Sequence, residues 1–287
     1  MHDQAELLRQ RLESVTKPAK VCAVVSGKGG VGKSNLTINL ALSLIKNGSK
    51  VLIMDLDIGM ANLDILLGVH SRYNIVDLVE QRLPILELIE SGPGHVDYLA
   101  GGNGLNKLFE LSSPQFGHFC KQMEVVQDRY DHIFLDMGAG ASKDSLQFIA
   151  AADEVMLVTT PEPTAITDAY AMLKYIQQQG PSTDVSLIVN RVESKREGDD
   201  IGNRIVQAAR HFLQKEVRFL GMLPEDRTVF KAVKEQKPYR LYAPSSNVAK
   251  SVQKLADTYR GGSIENHKTE GFVQRLTRYF TRKQGAT

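Results

Sequence analysis

The sequence predicts an α/β fold, a mostly parallel twisted sheet with helices on both faces, followed by an amphipathic C-terminal helix. Three observations carry that expectation. Near-continuous apolar runs of strand length alternate with helix-length amphipathic segments. Gly48 and Gly180 sit where helix C-terminal caps belong. The polar residues Asp55, Asp136, Asn190 and Glu225 fall at the ends of the apolar runs, where an open α/β sheet binds its ligand.

Taken in order, residues 1–19 stand apart as a short helix pattern, with Leu7, Leu8 and Leu12 among charges and Pro18 breaking it. A helix that short is marginal alone, which suits a segment that orders on a partner and equally an ill-ordered extension. Strands are expected at 21–26, 51–55, 133–136, 155–160, 185–190 and 218–223. Helices are expected from Asn35 to Lys46 and at 164–179, 201–215 and 246–259. This gives a core domain at 20–260, a flexible linker at 261–270 around Gly261, Gly262 and Ser263, and a terminal helix at 271–287.

The chain has 287 residues, 42% apolar and 24% charged, enough for one large domain plus a tail. A net charge of +2 produces no whole-protein field for nucleic acid, so any basic site is local. The two cysteines, Cys22 and Cys120, make no metal spacing and read as thiols of a reducing compartment. The start lacks a signal pattern and no apolar run approaches membrane-spanning length. The expected location is therefore cytoplasmic, with any membrane contact peripheral.

The first run leads into Gly27-Lys28-Gly29-Gly30-Val31-Gly32-Lys33-Ser34, then Asn35 and a helix. This is the phosphate-binding loop pattern G-x-x-x-x-G-K-[ST] in strand–loop–helix context. Backbone N–H groups curl around phosphate oxygens, Lys33 reaches the β- and γ-phosphates, and the Ser34 hydroxyl can ligate Mg²⁺. Asp55 and Asp57, two apart in an extended segment, face the same side. One can serve the metal while the other orients the attacking water. Asp136 ends an apolar strand and suits a carboxylate for hydrated Mg²⁺. A guanine-reading Asn-Lys-x-Asp is absent after Asn190, which favours ATP over GTP.

With a second lysine at Lys28, the loop resembles that of the MinD/ParA deviant Walker-A ATPases. The resemblance implies that Lys28 crosses an ATP-dependent homodimer interface to the opposite nucleotide, and that Asp57 poises the catalytic water beside Lys28 and Lys33. It also implies that Asn190, with Arg191, meets the adenine edge while Pro224, Glu225 and Asp226 lie along the purine. Metal ligation falls to Ser34, Asp55 and Asp136. The chain departs from the family at Gly138, where the pattern Asp-x-Pro-Ala-Gly usually has proline.

In the terminal helix Phe272, Val273, Leu276, Tyr279 and Phe280 share one face, with Arg275 and Arg278 on its flank. That suits a helix lying in an anionic membrane surface. A helix docked on its own domain and a patch on DNA phosphate are the competing readings. The start Asp3-Gln4-Ala5-Glu6-Leu7-Leu8-Arg9, together with Thr160-Pro161-Glu162-Pro163-Thr164 and Ala100-Gly101-Gly102, resembles the MinD-like FlhG group, also called YlxH or FleN. That resemblance implies control of flagellar number and placement, and stimulation of the FlhF GTPase through residues 1–19, with Gln4 and Arg9 the expected contributors. It further implies delivery of flagellar switch-ring proteins at the membrane. A division-site regulator of MinD type, or a DNA-partitioning ATPase of ParA type, are the alternatives.

Overall fold

The computed structural model describes residues 18–57, 62–102, 111–140, 143–180, 183–262 and 270–284. Gln4 and Arg9 lie outside the described residues.

Eight strands form one sheet: β1 (Lys20–Ser26), β2 (Val51–Leu56), β3 (Glu90–Ser91), β4 (Asp97–Leu99), β5 (His132–Ala139), β6 (Glu154–Thr159), β7 (Asp184–Val192) and β8 (Val217–Pro224). Their order is β3-β4-β2-β5-β1-β6-β7-β8, parallel throughout except for the short antiparallel β3–β4 pair. The chain leaves β1 for β2 on one side and later builds β6, β7 and β8 on the other, so a crevice opens at the carboxyl ends of the central strands, where ligands sit in such sheets.

Strand alternation sorts the core into two layers. From β1, Val21, Ala23 and Val25 face the helices Ser113–Gln127, Lys143–Ala151, Pro163–Gln179 and Lys195–Leu213. Cys22 and Val24 face the helices Lys33–Lys46 and Asn247–Gly261. Every residue of β2 and β6 is buried, which accounts for their unbroken apolar reading.

The six long strands and the four helices that the sequence predicts fall where expected, one helix with a different start, while the helices Ser113–Gln127 and Lys143–Ala151 were not among the expected elements. The helix expected at 201–215 begins at Lys195, two turns earlier. Ser194 caps it by accepting from the Glu197 N–H, and Gly198 and Gly202 let it lie directly against Met222 and Phe219. Those first turns bury glycine, not large side chains, and so leave no apolar period to read. The helix Arg227–Lys234 was not anticipated; Asp226 caps it by accepting from the Thr228 N–H at 2.8 Å.

His132 opens β5 near the rings of Tyr259 and Phe134, the former at 5.5 Å between centroids. Burial, reinforced by the nearby Lys20 ammonium, pushes its imidazole down to about 4. An unfolded histidine titrates near 6.5, so on acidification the unfolded chain takes this proton first. His132 therefore supports the fold fully above about pH 6.5 and progressively less as pH falls toward 4. Replacing it with Asn should flatten the loss of stability between pH 7 and 5 by about 1–2 kcal/mol in urea titrations. An unchanged slope would assign the acid sensitivity elsewhere.

Candidate functional site

The loop after β1 is built for an anion. Gly30 and Gly32 have φ of 78° and 90°, values that a side chain resists, and a Cβ on Gly32 would stand 2.5 Å from Asn190 Nδ2. Gly27 packs so closely on the backbone of Asp168 that no side chain fits there. The Ser26 hydroxyl donates to the Lys28 carbonyl at 2.9 Å and braces the entry to the loop. At the exit the 14-residue helix Lys33–Lys46 starts at Gly32 with no side-chain cap, so its first N–H groups and its dipole remain for a phosphate.

The carboxylates converge on this loop because β5 runs between β1 and β2. Asp55 and Asp136 are register partners on β2 and β5, and both are buried. Burial, with Asp136 alongside, pushes the Asp55 carboxyl up to about 7. Asp136 is likewise raised by burial, against the lowering effect of Lys33 and a hydrogen bond from Ser34. Lys33 Nζ stands 3.9 Å from Asp136 Oδ1, and that oxygen is buried without a hydrogen-bond partner. A hard cation is what such a donor set fits: two crowded carboxylates, an orphaned oxygen and an adjacent hydroxyl. Asp57 follows β2, and its N–H donates to Asp55 Oδ1 at 3.0 Å. Gly138 lies against it, since a Cβ there would meet Asp57 Oδ1 at 3.0 Å.

Lys28 behaves differently from Lys33. It is half exposed and turned away, donating to Glu162 Oε2 at 2.8 Å and Thr164 Oγ1 at 3.1 Å on the turn after β6. Neither partner was singled out as a site residue in the sequence.

A family model described as ParA, NUBPL iron-transfer P-loop NTPase, matches residues 17–259. The chain belongs to the ParA/MinD family of P-loop ATPases. This ATPase is 32% identical to the antiactivator FleN of Pseudomonas aeruginosa, covering 91% of this chain and 95% of FleN. It is 35% identical to the flagellum site-determining protein YlxH of Helicobacter pylori, covering 91% and 90%. Its fold matches the cell-division ATPase MinD of Pyrococcus furiosus with a TM-score of 0.70 at 26% identity, over 85% of this chain and 99% of that one. The MinD of Pyrococcus horikoshii, solved with Mg-ADP, matches at a TM-score of 0.70 and 24% identity, over 88% and 99%. Neither thiol of this ATPase lies at the surface. Cys22 is sealed inside β1, and Cys120 is buried beside Thr277.

Beside the loop, a cavity of about 720 Å³ joins Gly32 and Asn35 to Asn190, Arg191, Pro224 and Glu225. Asn190 is also a brace: its Nδ2 donates to the Val31 carbonyl at 2.8 Å, and its Oδ1 accepts from the Arg191 N–H. Arg191 follows with a φ of 60°, which turns the chain sharply at the end of β7. Asp226 lines the cavity, but its carboxylate is occupied in capping, accepting from Thr228 N–H and from Val248 N–H at 3.3 Å. Its carboxylate thus shapes this wall.

The terminal helix, Phe272–Gln284, is docked on its own domain, one of the competing readings of its amphipathic face. The face expected to meet a membrane is core. Phe272 and Leu276 are fully buried, Val273 nearly so, and Tyr279 and Phe280 pack against the same cluster. Phe280 stacks on Phe116 with centroids 3.8 Å apart, and the Tyr279 hydroxyl donates to the Gln179 carbonyl. Arg275, expected on a basic border, is buried. It donates to the Ala151 carbonyl at 2.8 Å, to the Glu270 carbonyl and to Asp153, while Arg278 pairs with Glu270. An apolar groove on the domain withdraws this face from water as effectively as lipid does, and an acid just ahead of the helix balances its arginine. Among the described residues no helix is long and apolar enough to cross a membrane.

Gly138→Ala is expected to push on the Asp57 carboxylate while leaving the phosphate loop untouched. On the expectation that Asp57 poises the attacking water, ATP turnover should fall about tenfold or more with little change in ATP affinity, since displacement of such a group by 1 Å costs on the order of 100-fold. Single-turnover hydrolysis beside equilibrium ATP binding separates the two, and equal losses in both would mean a collapsed loop.

Proposed function

We propose that this ATPase is an ATP-driven, dimerising switch that controls flagellar number or placement and cycles on and off an anionic membrane. The observation that carries the reading is the direction of Lys28, the extra lysine of the loop. It is held at the rim by Glu162 and Thr164, away from the buried Lys33–Asp136 centre, where it can be handed to a nucleotide on a facing subunit. A two-fold axis would make that exchange reciprocal. The similarity to FleN and YlxH supports the flagellar setting.

In this reading the loop N–H groups and Lys33 hold the β- and γ-phosphates, and Lys28 of one protomer adds positive charge at its partner's site. Asp57, kept against Gly138, aligns water for in-line attack on the γ-phosphorus, with ADP as the leaving group. Magnesium held by Ser34, Asp55 and Asp136 would neutralise charge on the phosphate oxygens. The cavity lined by Asn190, Arg191, Pro224 and Glu225 takes the adenine. The segment 1–19, with Gln4 and Arg9, stimulates a GTPase of FlhF type, and switch-ring proteins are the cargo. Membrane binding requires the docked helix to leave its groove, and a dimer presents two such helices at once, multiplying two weak attachments.

Asp57→Ala should keep ATP affinity, lose hydrolysis by about 100-fold and accumulate as dimer in light scattering, whereas Lys28→Ala should bind ATP and remain monomeric. Dimeric Lys28→Ala would sink the reading of that lysine as a reporter across the interface.

Co-sedimentation with anionic liposomes tests the membrane step. The full chain should pellet with ATP and not with ADP, and truncation after Gly261 should abolish pelleting. Arg275→Ala, which loosens docking by about 3 kcal/mol for a buried pair broken on one side, should pellet in both nucleotides. Equal binding by the truncated chain would remove the helix from this role.

A further inference from the structure

One apolar surface beside the phosphate loop is only partly taken up by the core, at Val229. On the helix Arg227–Lys234, Val229, Phe230 and Val233 follow i, i+1 and i+4 spacing and line the cavity beside the loop, while Ala232 turns inward and is buried. Phe230 is 75% exposed and Val233 38% exposed. The similarly exposed Phe212 makes a useful contrast: it lies edge-on to His211 and is not among the residues around the cavity beside the phosphate loop. Phe230 is therefore not a generic surface phenylalanine, because the space before it is continuous with Gly32 and Asn35 of the phosphate loop.

The helix that carries it is firmly placed. Asp226 caps its start and also accepts from Val248 N–H, tying it to the helix Asn247–Gly261. The chain thus spends a doubly bonded carboxylate on holding an aromatic ring at the mouth of a cavity. A flat, apolar, π-rich ligand tethered to a phosphate is what this arrangement fits.

We propose that Phe230 stacks on the purine base of the bound nucleotide, with Val233 extending the apolar surface, so that base affinity comes from this helix as well as from hydrogen bonds at Asn190. This rests on the assignment of the loop to the phosphates and of the cavity to the base. An aromatic ring against a base contributes enough to change affinity by roughly 10-fold or more. Stacking is tolerant of base identity, so Phe230 should raise affinity for purine nucleotides generally and leave discrimination between them to the polar rim.

The chain contains no tryptophan, so Phe230→Trp installs a single emitter at the proposed contact. In the full-length protein with Mg²⁺, ADP and ATP should both quench that emission, while inorganic tripolyphosphate should bind by calorimetry without quenching it. Phe230→Ala should lose roughly 10-fold in ADP affinity and keep its tripolyphosphate affinity. Unchanged ADP affinity in Phe230→Ala would overturn the proposal. So would quenching by ATP alone, since that outcome would make Phe230 a contact between subunits. Failure of the wild-type chain to bind tripolyphosphate would instead overturn the assignment of the loop, and the base contact with it.

Discussion

Asp55 and Asp136 lie side by side on β2 and β5, and both have been taken out of water. A carboxylate stripped of solvent must find counter-charge or take a proton, and two of them together press each other the same way. Lys33 answers only part of this from 3.9 Å, leaving one Asp136 oxygen without a partner. The unsettled charge explains the rest of the site. A glycine loop supplies N–H groups without side chains, a helix start supplies a dipole, and the sheet order brings both to the same carboxylates. The protein alone leaves open an electrostatic arrangement that a nucleotide with a cation would fit.

The terminal helix has its own balance. Its apolar face lies in the groove beside Phe116, and the proposed release to a lipid surface would draw on the same burial. Arg275 separates the two settings. Buried with Asp153 and two backbone carbonyls, it fixes the register of docking, and removal of one partner would strand a charge. Asp153 also accepts from Val21 N–H at 2.8 Å, at the start of the strand that ends in the phosphate loop. The docked helix is thus joined through one carboxylate to the element that carries the nucleotide, and its departure leaves both charged groups open to water.

How far the sequence revealed this depends on where each signal resides. The loop from Gly27 to Ser34 and the carboxylates at Asp55, Asp57 and Asp136 are local patterns fixed by backbone geometry, and the structure places them together. Asp226 reads equally as a ligand and as a cap, and its bonds from Thr228 and Val248 show that it caps a helix not anticipated from the sequence. The docking of the terminal helix was beyond local reading, because an amphipathic face does not say whether lipid or protein covers it. The groove comes from helices more than a hundred residues earlier in the chain. The pattern of Arg227-Thr228-Val229-Phe230-Lys231-Ala232-Val233-Lys234 did contain a helical period, and its shortness, not its absence, hid it.

The position of Lys28 shows why an exposed contact can matter more than a buried one. Its pairing with Glu162 and Thr164 is at the surface, where water and salt keep an ion pair weak. A buried pair such as Lys33 with Asp136 could not be exchanged for another partner without leaving a charge stranded. The weak pair can. It holds the lysine extended at the rim and limits its conformational freedom. On the proposed reading, a lysine that serves a second subunit is best kept in such a contact, which a phosphate offering more charge in a drier setting can displace.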